Sequence, residues 1–138
     1  MQAQGLNRTE RVSELLEVVA STKLLEQGVD ILQPIPFSQK KQLLQHVYCD
    51  VSQNPKFRNC TNKDGITGCL ATSTVLYSFG RDRALLPFEL AMLQGHGRGL
   101  RFPEGMPGSQ IRDLMGEGMN LPCLATIVWS LYVTKGLL

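Results

Sequence analysis

LMGEGMNLPCLATIVWSLY, residues 114–132, is the stretch on which the reading of the fold turns. A glycine-broken turn holding one acid, Gly116-Glu117-Gly118, runs directly into an apolar segment. Beyond it Leu121, Leu124, Ala125, Val128, Leu131 and Tyr132 recur on one helical stripe with Trp129 beside it, which predicts a helix buried along that stripe. Pro122 suits the first turn of such a helix. Cys123 is expected to be buried there as a small apolar side chain. The segment is too short to span a bilayer. Two readings of the glycines stand side by side: ordinary loop chemistry, or a backbone that must come close to another group.

Upstream, residues 83–97 read RALLPFELAMLQGHG. Pro87 belongs in a first helical turn, Glu89 favours the helix N-terminus, and Gly95 can close the helix in a left-handed cap. HGRGLRFPEGMPGS then reads as a loop and QIRDLM as a short helix start. Residues 95–99, Gly-His-Gly-Arg-Gly, follow a helix rather than a strand and carry no P-loop lysine, so they read as a turn. Residues 69–79, CLATSTVLYSF, predict a strand in which Val75, Tyr77 and Phe79 share a face. The polar residues 50–68 read as a surface loop. Ser38 is expected to cap a short helix, and the prolines of DILQPIPF make an extended connector. Near the N-terminus, Thr9 can cap a helix with Val12, Leu15, Leu16, Val19, Leu24 and Leu25 at helical spacing, ending at Gly28. The expected architecture is α-rich with one or two strands.

The bulk properties set limits. With 138 residues, 43% hydrophobic and 19% charged, the chain is a globular domain or part of one, not a disordered or fibrous segment. A net charge of +2 permits nucleic acid without announcing it. The first residues hold no apolar h-region, so a cytosolic or nuclear setting is expected rather than secretion. Cys49, Cys60, Cys69 and Cys123 form no C-x-x-C pair, and with His46 they match no common zinc spacing. They read as reduced structural thiols, with no metal expected. Lys56, Arg58, Lys63, Arg81 and Arg83, interleaved with Phe57, suit a phosphate backbone; a solvated loop has the same composition.

Two stretches together resemble a known family, the cytosine-5 DNA methyltransferases. Residues 83–97 are similar to the ninth motif of these enzymes, with Arg83, Leu85, Glu89, Leu93, Gln94 and Gly95 in register. Leu86, His96 and Gly97 replace the usual threonine, phenylalanine and proline. Residues 114–134 resemble the tenth motif through Gly116, Pro122 and the apolar helix, with Glu117 and Gly118 where the family has asparagine and alanine. Residues 48–82 look like the end of the target-recognition region, after an N-terminal helix and connector at 1–36; the methyltransferase-like region as a whole would be 37–138.

The resemblance implies a C-terminal fragment of a Rossmann-like, S-adenosylmethionine-dependent fold. In such enzymes a cysteine of a Pro-Cys-Gln loop attacks C6 of a flipped cytosine, a glutamate assists at N3, and a Phe-x-Gly-x-Gly loop holds the cofactor. None of these motifs occurs in the sequence, and Pro122-Cys123-Leu124 lies in the tenth-motif region. The resemblance therefore implies no catalytic residue and no turnover by this chain alone. It implies Gly116, Glu117 and Gly118 beside S-adenosylmethionine once a catalytic segment is supplied, Lys56, Arg58 and Arg81 on DNA, and structural roles for Arg83, Glu89 and Gln94. The partners implied are DNA and a complementary chain or segment, with no membrane. The alternative is a non-catalytic DNA-binding or protein-interaction module derived from the same fold.

Overall fold

The structure is a computed structural model that describes residues 9–54, 60–62 and 66–135. It is mixed α/β and helix-rich, with a small three-stranded sheet that is antiparallel throughout. Two compact units divide the chain: Met1–Cys69 with Thr74–Leu85, and Leu70–Ser73 with Leu86–Leu138.

The first unit begins with helix α1, Glu10–Glu26. Thr9 caps it as expected, its hydroxyl oxygen accepting from the Val12 N–H at 3.4 Å. Gly28 ends it at φ 75°, with its own N–H donating to Leu25 and that of Val29 to Leu24, the paired bonds of a Schellman motif. Val12, Leu15, Leu16, Val19 and Leu24 are buried, whereas Leu25 is exposed on the opposite face. Helix α2, Phe37–Leu43, starts two residues earlier than a Ser38 cap would dictate; its N-cap is Pro36, which offers no side-chain bond. The pre-set φ of that proline makes a side-chain cap dispensable.

Strands β1 (Tyr48–Asp50), β2 (Leu76–Ser78) and β3 (Arg83–Ala84) form the sheet in that order, with Cys49 opposite Tyr77 and Tyr77 opposite Ala84. Among the described residues there are three strands, one more than the upper expectation, and β2 is far shorter than residues 69–79. The reason is not local: Leu70–Ser73 leaves the sheet and belongs to the second unit. Side chains complete what the short ladders cannot. Asn62 accepts from the Tyr48 N–H at 2.8 Å and donates to the His46 carbonyl at 2.9 Å, extending the edge of β1. Asp50 accepts from Ser52 N–H at 3.0 Å, Ser52 Oγ at 2.6 Å, Val75 N–H at 3.3 Å and Thr74 Oγ1 at 3.4 Å, tying the end of β1 to the approach to β2. Arg11 clamps the following turn, donating to Val51 O at 2.9 Å and Gln53 O at 3.3 Å. Between β2 and β3, Asp82 takes the left-handed φ of 52° while its carboxylate accepts from the Tyr77 hydroxyl.

The second unit contains α3 (Pro87–Leu93), α4 (Gly108–Glu117) and α5 (Leu121–Thr134). Pro87 sits in the first turn of α3. The Glu89 carboxylate accepts from the Leu86 N–H at 2.8 Å, satisfying a donor that a helix start leaves open. Gly95, at φ 84°, closes α3 with a second Schellman pair, Gly95 N–H to Met92 O and His96 N–H to Ala91 O. Two expectations about the opening stretch are corrected here. Gly116 and Glu117 are the last turn of α4, not a glycine-broken loop; the chain leaves the helix only at Gly118. In addition, α5 buries none of its residues, and Cys123 is exposed. The apolar stripe reads as a core helix by composition, yet among the described residues none of its own unit buries it.

Candidate functional site

The ends of α3 and α4 and the start of α5 meet in one joint, and the side chain that holds it is Gln94. Helix α4 lacks a left-handed terminal cap: Gly118 is extended, at φ −69° and ψ 148°. Its last carbonyls need donors from elsewhere. Gln94, only 7% exposed, supplies them through Nε2, which donates to Met115 O at 2.8 Å and Gly118 O at 3.2 Å. The Gln94 carbonyl accepts in turn from the Leu121 N–H at 2.8 Å, fixing the first residue of α5. Asn120 caps α5, accepting from Cys123 N–H at 3.3 Å and donating to Leu93 O at 3.4 Å.

Two glycines permit this closeness. A Cβ on Gly95 would lie 2.3 Å from Cδ of Pro122. One on Gly116 would lie 2.3 Å from the backbone nitrogen of Thr72 and 2.4 Å from the Ala71 carbonyl. Gly116 is therefore small because the chain's own backbone packs against it. Glu117 and Gly118 are exposed beside it.

Helix α5 projects from this joint as an apolar rod. Ile127, Val128, Trp129 and Leu131 are all more than half exposed, and Leu121, Leu124, Tyr132 and Val133 nearly so. Its hydroxyls do not relieve this, because Thr126 and Thr134 donate back to Pro122 O and Ser130 O at 2.8 Å each. From these exposures the eight side chains present on the order of 800 Å² of surface, about what one partner contributes to a standard-size interface. That exceeds the largest apolar patch of a typical monomer, roughly 300–600 Å².

The remaining residues singled out in the sequence are placed separately. Arg83 lies on β3, its guanidinium donating to Ala84 O at 2.9 Å. Arg81 is exposed in the turn before it, its N–H donating to Ser78 Oγ at 3.4 Å. Lys56, Arg58 and Lys63 lie outside the described residues. The structure thus unites Gln94 with residues 115–118, and leaves Arg81 and Arg83 in the other unit. Burial lifts the Cys49 thiol up to about 12, with Cys60 and Asp50 adding to the effect, and pushes Cys60 upward as well. Neither is a thiolate near neutrality, which removes both as nucleophiles. Among the described residues no group of three or more His, Cys, Asp or Glu could hold a metal ion, and no helix is long and apolar enough to cross a membrane.

Three residues carry structural work that the sequence did not announce. Asp50 and Asn62 sit in a stretch whose composition says only turn, and the Gln94 amide acts on carbonyls more than twenty positions away. Comparison of the chain with protein families, curated proteins and solved structures finds no match.

Proposed function

We propose that this chain is the C-terminal portion of a cytosine-5 DNA methyltransferase, inactive alone, that works with a segment carrying the nucleophile and the cofactor loop. The observation that supports the reading most is the Gln94 joint. The residues resembling the ninth and tenth motifs, separated by a loop of more than ten residues, are those that interlock: Gln94 and Gly95 on one side, Met115 to Gly118 and Pro122 on the other.

On this reading the exposed surface of α5 is where the catalytic segment packs, which accounts for an apolar helix that buries none of its residues. S-adenosylmethionine supplies the methyl group when bound, held mainly by the catalytic segment. This chain would add the backbone at Gly116, Glu117 and Gly118, which Gln94 and the 71–72 backbone hold in place. Lys56, Arg58 and Arg81 would follow the DNA backbone. A second reading, a non-catalytic interaction module of the same descent, draws on the same exposed α5, whose surface suits a protein partner with or without chemistry.

The test mixes the chain with a catalytic segment from the same genome that carries Phe-x-Gly-x-Gly and Pro-Cys-Gln and stops before its own ninth motif. Transfer of labelled methyl groups to cytosine in duplex DNA is then followed. Neither component alone should transfer, and the mixture should. Association without transfer favours the interaction module; neither association nor transfer overturns the reading.

A further inference from the structure

Away from that joint, the first unit contains a half-open pocket of about 270 Å³ lined by α1, α2, strand β2 and the turn that follows it. Its size is just below that of drug-sized ligand sites, which run from roughly 300 to 1,000 Å³. The inner surface is apolar, with Leu16 from α1 and Leu44 after α2, both buried. Aromatic rings from two directions complete it: Phe37, 56% exposed at the mouth, and Tyr77 and Phe79, which meet edge to face at 5.1 Å.

The charges around the cavity are sorted by element. Lys40 and Lys41 both come from α2, and Glu17 from α1. Among the described residues no ion pair joins Lys40 or Lys41 to Glu17, so these three charges are not neutralised by one another. Asp82, on the sheet side, is engaged by the Tyr77 hydroxyl. A pocket with aromatic and aliphatic walls, two cations from α2, one carboxylate from α1 and a second, Asp82, already accepting from Tyr77, is complementary to a small molecule bearing both charges and a ring. Water-exposed lysines and a glutamate would cost little to leave solvated, so the apolar interior would drive binding and the charges would select the ligand.

We propose that this cavity binds a free α-amino acid with an aromatic side chain. Its ring lies against Phe37 and Phe79, its carboxylate meets Lys40 and Lys41, and its ammonium group meets Glu17. The site is independent of the methyltransferase reading, since every residue in it belongs to the first unit.

Calorimetric titration of the intact chain with phenylalanine, 3-phenylpropanoate and 2-phenylethylamine tests this. Phenylalanine should bind saturably in the roughly millimolar-or-tighter range that one ring and two charge contacts support. The molecules lacking either charge should bind at least about tenfold more weakly, the loss of one such contact. Lys40→Ala with Lys41→Ala should weaken phenylalanine and 3-phenylpropanoate while leaving 2-phenylethylamine unchanged, and Glu17→Gln should do the reverse. All three side chains are exposed, so an unchanged helical circular dichroism spectrum should accompany each variant. Absence of saturable phenylalanine binding, equal affinity for all three molecules, or indifference to the lysine pair overturns the proposal.

Discussion

The Gln94 joint makes a quantitative prediction. Gln94→Met keeps the length and flexibility of the side chain and removes its donors. The Met115 carbonyl, on a residue only 8% exposed, then loses a 2.8 Å bond with no nearby replacement. A buried carbonyl left without a donor costs about 1–3 kcal/mol. The Gly118 carbonyl belongs to an exposed residue and can turn to water, so its 3.2 Å bond adds less, under about 1 kcal/mol. The sum, about 1–4 kcal/mol, corresponds to roughly 5- to 700-fold faster opening of the joint. Amide hydrogen exchange reads this directly at Gly118, whose N–H donates to Leu114 O, and at Leu121, whose N–H donates to Gln94 O. Amides of α1, in the other unit, serve as the internal reference and should keep their rates. Gln94→Glu should open the joint further, because a carboxylate would face two carbonyl oxygens. Exchange at Gly118 and Leu121 within about threefold of the parent in Gln94→Met would refute the reasoning, as would a Glu variant as protected as the parent.

Three further outcomes follow from the same structure. Gly95→Ala combines a left-handed residue with a methyl group 2.3 Å from the Pro122 ring, and should destabilise the second unit by about 2–4 kcal/mol in urea unfolding; Gly116→Ala, aimed at the 71–72 backbone, should rank beside it. Trp129→Ala should change stability by less than about 1 kcal/mol, against the 3–5 kcal/mol of a core tryptophan, and the parent's Trp129 fluorescence should be openly quenched by iodide until a partner covers α5. Cys49 keeps its proton to about 12 in the folded chain whereas the unfolded thiol ionises near 9, so unfolding releases a proton between those values. Stability should therefore fall by about 1.4 kcal/mol per pH unit across that window, and Cys49→Ala should flatten this part of the pH profile.

Much of the local architecture was legible in the chain. Thr9 and Gly28 bound α1, and Pro87, Glu89 and Gly95 bound α3, because caps act through bonds that reach only three to five residues. The strand at 69–79 was misjudged because Leu70–Ser73 is needed beside Gly116, a contact more than forty positions distant. Lys56 and Arg58, offered for DNA on composition, fall outside the described residues, whereas Gln94, offered only for its place in a motif, proved to cap a second helix.

Residues 114–132 divide the two kinds of information most clearly. Sequence alone determined that α5 is a helix: Pro122 enters its first turn and the apolar spacing sustains it, while the Asn120 cap emerged only from the structure. Sequence also determined that its surface is apolar. Whether that surface is covered is a property of other surfaces, and only the tertiary structure decided that the described residues of its own unit leave it exposed. The same holds for the glycines before it. Their freedom was plain from the sequence, but that Gly116 spends it against Ala71 and Thr72, inside a helix closed by the amide of Gln94, depends on segments brought together only when the chain folds.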